Sequence, residues 1–249
     1  MTATPTDTRP FAPLVASPVF VLSAIRSGST LLRCILNTHS EICAPHELHL
    51  ADLAVTGTPT AAGLTATDAG WLLRDRVLHT LLTRAGKRLI VDKTPGNLLD
   101  WEDLPRRWPD ARFVFLLRHP AGILDSAIRS RPAGHPVDPR PLVLTYCRAL
   151  AASRVALPGL TVRYEELTSQ PEATTRALCS FLGVLWEPGM CEYGSNDHGP
   201  FVFGIGDFTA NIRSGRVNPA RPHPDWSGLS DDLREVSRQL GYSEEAPTP

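Results

Sequence analysis

Four short stretches of this 249-residue chain carry side chains suited to polar chemistry. The first, Leu22-Ser23-Ala24-Ile25-Arg26-Ser27-Gly28-Ser29-Thr30, joins an apolar run to a helical pattern. A helix N-terminus exposes unpaired N–H groups and about half a positive charge, so such a junction suits a phosphate. Ser27, Gly28 and Ser29 are small enough for close backbone approach, and Arg26 adds a planar fork of donors. The second stretch, Phe113 to Leu117, delivers Arg118 to its C-terminal end, with Ser126 eight residues further on. An arginine there either faces the crevice where open α/β sheets bind ligands or is an ordinary surface residue. The third, Pro45-His46-Glu47-Leu48-His49-Leu50, sets a carboxylate between two imidazoles, each a candidate proton acceptor. The fourth is Asp92-Lys93-Thr94-Pro95. A lysine ending a buried strand needs an anionic partner, and its neighbour Asp92 is one candidate.

The elements that must position these groups are legible as alternating periods. Apolar runs at Val19–Leu22, Leu89–Val91, Phe113–Leu117 and Leu160–Val162 read as strands, the third so uniformly apolar that both its faces must be covered. Helical spacing is expected over Gly28–Asn37, Asp68–Ala85, Leu142–Val155, Glu172–Leu182 with Gly183 as its stop, and Leu229–Leu240 ending at Gly241. Pro120 sits where a proline opens a helix. Strands alternating with helices predict an α/β fold: a single-domain parallel sheet flanked by helices. Residues 1–17 read as a flexible N-terminal arm, 18–242 as the domain and 243–249 as a flexible tail. Residues 55–67 read as a surface excursion or lid, and Arg129 and Arg131 as a solvated face.

Composition limits the partners. The net charge of −1 gives no field that recruits nucleic acid or an anionic membrane nonspecifically. The longest apolar run, Phe113–Leu117, is far short of the ~20 residues needed to cross a bilayer, and the N-terminus lacks the pattern of a secretory signal. Five scattered cysteines without a Cys-x-x-Cys pair point away from disulfides and zinc and toward free thiols in a reducing cytoplasm.

Set on the Walker frame G-x-x-x-x-G-K-[ST], the first loop fits in part: Gly28 and Thr30 match, while Ser23 replaces the first glycine and Ser29 the lysine. A kinase uses that lysine on the β/γ-phosphates. The loop instead resembles the 5′-phosphosulfate loop of sulfotransferases that use 3′-phosphoadenosine 5′-phosphosulfate (PAPS). A strand-end Arg followed by Ser eight positions later, here Arg118 and Ser126, resembles that family's 3′-phosphate site. Val162-Arg163-Tyr164-Glu165-Glu166-Leu167 resembles its strand-end Tyr-Glu-Asp/Glu-Leu element, with Gln170-Pro171-Glu172 and Cys179-Ser180-Phe181-Leu182-Gly183 also family-like. The resemblance spans roughly residues 18–225.

That resemblance implies a P-loop-like sulfotransferase fold, metal-independent and with PAPS as donor and 3′-phosphoadenosine 5′-phosphate (PAP) as product. It assigns Arg26, Ser27, Gly28, Ser29 and Thr30 to the 5′-phosphosulfate, Arg118 and Ser126 to the 3′-phosphate, and Arg213 and Arg216 to a late basic segment that closes over the nucleotide. Arg26 also neutralises the leaving phosphate. The histidine base of the cytosolic branch is replaced here by Pro95. In the Golgi and tyrosyl-protein branches a glutamate after the first helix is the base and a second-strand lysine supports the sulfonate, which implies Glu47 and Lys93, with His46 and His49 as alternatives. The Pro-x-Glu-Leu-His-Leu wording also resembles sulfotransferase domains of bacterial polyketide synthases, implying a hydroxyl acceptor on a free natural product or on a chain held by an acyl carrier protein. Residues 53–67 and 193–208 are the candidate acceptor walls. The competing readings are a small-molecule kinase using Mg-ATP and a non-catalytic nucleotide-binding module.

Overall fold

The computed structural model describes residues 12–50, 65–131, 136–202, 205–207, 209–222 and 225–244. Five strands, β1 (Val19–Ser23), β2 (Ile42–Cys43), β3 (Leu89–Asp92), β4 (Arg112–Leu117) and β5 (Gly159–Arg163), form one sheet in the order β2-β3-β1-β4-β5. Every pairing is parallel, with Phe20 opposite Phe113 and Val114 opposite Leu160. The helices are α1 (Ser29–Thr38), α2 (Ala66–Ala85), α3 (Leu104–Arg107), α4 (Pro120–Arg129), α5 (Arg140–Ala156), α6 (Tyr164–Ser169), α7 (Pro171–Leu182), α8 (Ala210–Arg213) and α9 (Asp231–Gln239). The expected α/β fold with a single parallel sheet is the one observed.

Strand side chains alternate between faces, and here both faces are covered. Phe20, Leu22, Phe113, Phe115 and Leu117 pack toward residues of α2, α4, α5 and α9, including Leu78, Ile123 and Leu150. Val19, Val21, Val114 and Leu116 pack on the opposite side with Leu32 and Ile35 of α1, Leu167 of α6 and Leu178 of α7. Continuous apolar runs, not alternating ones, are the consequence. The chain leaves β1 toward β3 on one side and returns to β4 on the other, so β1 lies at the point where strand order reverses. The loops leaving β1, β3 and β4 therefore open into one crevice.

The same alternation separates the two charged neighbours that end β3. Asp92 turns to the α2 side, where it pairs with Arg74 at 3.1 Å and accepts from Thr94 Oγ1 at 2.8 Å. Both members of the pair are buried, and the Arg74 guanidinium also stands over the rings of Phe20, Trp71 and Trp108. Lys93 turns the other way. Asp92 is thus structural, and Lys93 finds its anion elsewhere.

Four short elements, β2, α3, α6 and α8, were not expected from the sequence. β2 has two residues, too few to show any period, and α6 begins at the residue that follows β5. Within the first 17 residues, the backbone N–H groups of Leu14 and Val15 donate to the Asp75 carboxylate, which ties this stretch to α2. Residues 1–11 and 245–249 lie outside the described residues, as does most of the excursion at 55–67. Removing one partner of a buried ion pair leaves the other charge uncompensated, so Asp92→Ala should lower unfolding free energy by about 3–5 kcal/mol in a urea titration. A loss below about 1 kcal/mol would show that Arg74 does not depend on Asp92.

Candidate active site

The loop after β1 turns on two left-handed residues, Arg26 (φ 60°) and Gly28 (φ 88°). Ser27 closes it from within, donating from Oγ to the Ala24 carbonyl at 2.7 Å, which leaves its backbone N–H as its means of meeting an anion. Gly28 caps α1 with no side-chain hydrogen bond, so the amides of the first turn have no side-chain competitor for an incoming anion. Gly28 is required twice over: besides its positive φ, a Cβ there would lie 2.3 Å from the Tyr164 ring.

Arg118 leaves β4 beside this loop. Its Nη1 donates to the Arg26 carbonyl at 2.9 Å, and its guanidinium stands 4.5 Å from the centre of the Tyr164 ring. Arg26 in turn donates from Nε to Ser126 Oγ at 3.4 Å. The two stretches that the sequence marked separately are therefore contiguous. They line a cleft of about 310 Å³ together with Thr30, Glu47 and Arg216. A second lobe of about 430 Å³, shared by Arg26, Arg118 and Ser126, is lined also by Arg129 and Arg221. Arg213 turns outward to the Phe201 carbonyl at 2.9 Å and is not among the lining residues of either lobe.

Glu47 reaches the cleft from the segment that follows β2, held there as Ala44 N donates to Asn37 Oδ1 and Leu48 N to Thr94 Oγ1. Lys93 Nζ, 1% exposed, donates directly to Glu47 Oε1, the carboxylate being 8% exposed. Burial pushes the Lys93 ammonium down, Glu47 opposes that shift, and the nearby Arg33 adds to it. His49, in a left-handed conformation (φ 47°), sets Nε2 3.3 Å from the other Glu47 oxygen. His46 points elsewhere: its Nε2 is buried without a partner among the described residues, and a Cβ on Gly199 would lie 2.5 Å from it. Burial, then the charges of Arg33 and Lys93, push His46 down, so it stays neutral at neutral pH.

The sequence did not single out Gly206 and Asp207. Asp207 N donates to Thr30 Oγ1 at 2.9 Å, and its carboxylate lies 3.9 Å from Arg26. Gly206 (φ 71°) approaches so closely that a Cβ would sit 2.7 Å from Thr30 Oγ1 and 3.4 Å from Glu47 Oε1. The Gly-Ile-Gly-Asp wording was the available signal, since paired glycines before an acid suit a tight backbone approach. Of the acceptor walls expected from sequence, residues 53–64, 203–204 and 208 lie outside the described residues. Among the described residues no group of three His, Cys, Asp or Glu side chains is placed to hold a metal ion, and no helix is long and apolar enough to cross a membrane.

A tight loop after the first strand of a parallel sheet, with a strand-end arginine at its side, gives an α/β protein whose crevice is suited to an anion. The model of the "Sulfotransferase family" matches residues 18–188, and the chain belongs to that family. The nodulation protein NoeE of Sinorhizobium fredii is 28% identical over 207 residues, covering 66% of this chain and 49% of NoeE, so the chain spans about half that relative's length. The sulfotransferase domain of the Synechococcus PCC 7002 olefin synthase superposes with a TM-score of 0.69 at 22% identity, covering 94% of this chain and 98% of that domain. Mouse sulfotransferase SULT7A1, solved with PAP, superposes at 0.50 with 13% identity over 93% of this chain and 87% of that one.

The loop makes its own demand on sequence. Gly28→Ala forces both a left-handed alanine and a clash with Tyr164, and should cost about 1–3 kcal/mol in thermal or urea unfolding. An unchanged midpoint would mean that the loop and α6 are not packed as described.

Proposed function

We propose that the protein transfers a sulfonate group from PAPS to a hydroxyl of a small molecule, free or tethered to a carrier, with Glu47 as general base. One observation carries this reading: a buried carboxylate, Glu47, lines the same cleft as the loop after β1 and Arg118 and holds the Lys93 ammonium behind it. In that frame the Arg26 guanidinium and the α1 amides take the 5′-phosphate, while Arg118 and Ser126 take the 3′-phosphate, with Arg129, Arg216 and Arg221 adding positive charge along the walls. Glu47 accepts the acceptor's hydroxyl proton as the new oxygen–sulfur bond forms. The bond from sulfur to the phosphate oxygen breaks, and PAP leaves with that oxygen and its charge. Lys93 shifts from Glu47 toward a sulfonate oxygen, supplying the preorganised charge that such transfers need. His49, against the second Glu47 oxygen, orients the carboxylate.

Ser29 in place of the Walker lysine argues for sulfonate over phosphoryl transfer, and the PAP-bound mouse relative supports the choice of nucleotide. The likeness to an olefin-synthase domain supports a hydroxyacyl acceptor and a place in natural-product assembly. All five cysteines are free, and burial pushes the Cys147 thiol up to about 12, which suits a reducing cytoplasm.

Three measurements check this reading. PAP without magnesium should raise the melting temperature, a ligand at 100 times its Kd adding about 2.7 kcal/mol. Stabilisation by Mg-ATP and not by PAP would transfer the assignment to a kinase. Glu47→Gln should reduce sulfonation of a 3-hydroxyacyl thioester by about 10²–10⁴-fold, read as mass gain, with PAP affinity retained. Equal rates in both proteins would remove Glu47 from the chemistry. Arg118→Ala should weaken PAP more than adenosine 5′-phosphate, whereas equal losses would place Arg118 away from the 3′-phosphate.

A further inference from the structure

The least expected charge near the cleft is Arg33, on α1 one turn beyond the phosphate loop. It is 1% exposed and lines neither lobe of the cleft. Its Nη1 donates to the Ala44 carbonyl at 3.4 Å, and its Nη2 to the His198 carbonyl at 3.2 Å and to Cys34 Sγ at 3.3 Å. Nε has no partner among the described residues. The acceptors are two main-chain carbonyls and a sulfur, none of them a carboxylate, which is an unfavourable setting for a buried guanidinium. A charge kept there on these terms calls for a role beyond packing.

Ala44 stands three residues before Glu47, and His198 precedes Gly199, the residue that packs against His46. We infer that Arg33 is a positioning residue for Glu47: its guanidinium ties the segment bearing the carboxylate to the late segment packed against it. This rests on the assignment of Glu47 as base. The groups within its electrostatic reach are Cys34 on its own helix, His46 and Glu47 after β2, Lys93 after β3, and His198 in the late segment. Its fixed charge opposes protonation of His46 and His198.

The test compares Arg33→Met, Arg33→Lys and Glu47→Gln by PAP release from PAPS with water as acceptor, by PAP affinity, and by NMR titration of the His46 ring. Arg33→Met should slow PAP release by up to about 10²-fold while PAP affinity stays within about twofold, because a displaced base affects the reaction and not the nucleotide. His46 should then titrate at a higher pH, since a repelling charge is gone. Arg33→Lys should return the His46 titration to its original position while recovering release only in part, as an ammonium cannot span both carbonyls. Unchanged release together with unchanged His46 titration in Arg33→Met, or a parallel fall in PAP affinity, would overturn the inference. If Arg33→Met does not fold, Arg33→Lys decides alone: full release overturns the tie, and slowed release with intact PAP affinity supports it. Full release in Glu47→Gln would overturn the base assignment itself, a result distinct from any obtained at Arg33.

Discussion

The site depends on a single buried ion pair, Lys93 with Glu47, and on the strand that aims the lysine. Two charges removed from water need each other, and neither Lys93 nor Glu47 has enough exposure to be satisfied by solvent alone. The lysine could not have been served by its neighbour in sequence, because adjacent residues leaving a strand point to opposite faces. Asp92 is held by Arg74 and Thr94 on the α2 side, so the α1 side receives a cation whose only close carboxylate among the described residues is Glu47. Two consecutive residues thus serve two separate buried ion pairs on opposite faces of the sheet.

The sheet supplies the rest of the placement. β1 lies between β3 and β4, and their carboxyl ends bring the loop after β1 and Arg118 to one crevice, with Lys93 behind it on Glu47. The strands are packed on both faces by apolar side chains, so these ends have little freedom to drift. Rigid delivery matters because reaction within a bound complex is sensitive to displacements of about an ångström. The late segment, through Gly206, Asp207 and Arg216, completes the wall opposite the sheet.

Much of the fold is legible in the sequence. The four apolar runs are strands within a residue or so of where the sequence pattern set them, and the three central ones, β1, β3 and β4, carry the continuous apolar signature of buried parallel strands. The helix stop at Gly183 follows from the same local chemistry: it adopts φ 68°. β2 was not readable, since two residues carry no period, nor was α6, whose first turn follows a strand end without a break. Arg118, Ser126 and Glu47, which line the cleft, and Lys93 were marked in the sequence by spacing and resemblance, but the partner of Lys93 was not: that choice is made by strand geometry and tertiary packing. The same holds for His46 against His49, similar in sequence yet opposite in aim. Arg33 and Arg221 left no local trace, as each gains its meaning from residues far away in the chain.

The most direct check is a crystal structure of the protein with PAP bound. The account predicts the 5′-phosphate on Arg26 and the first-turn amides of α1, the 3′-phosphate on Arg118 and Ser126, and the Glu47–Lys93 pair on the open side of the 5′-phosphate where a sulfonate would project. A 5′-phosphate bound away from that loop, or a Glu47 carboxylate on the far side of the adenosine, would contradict it.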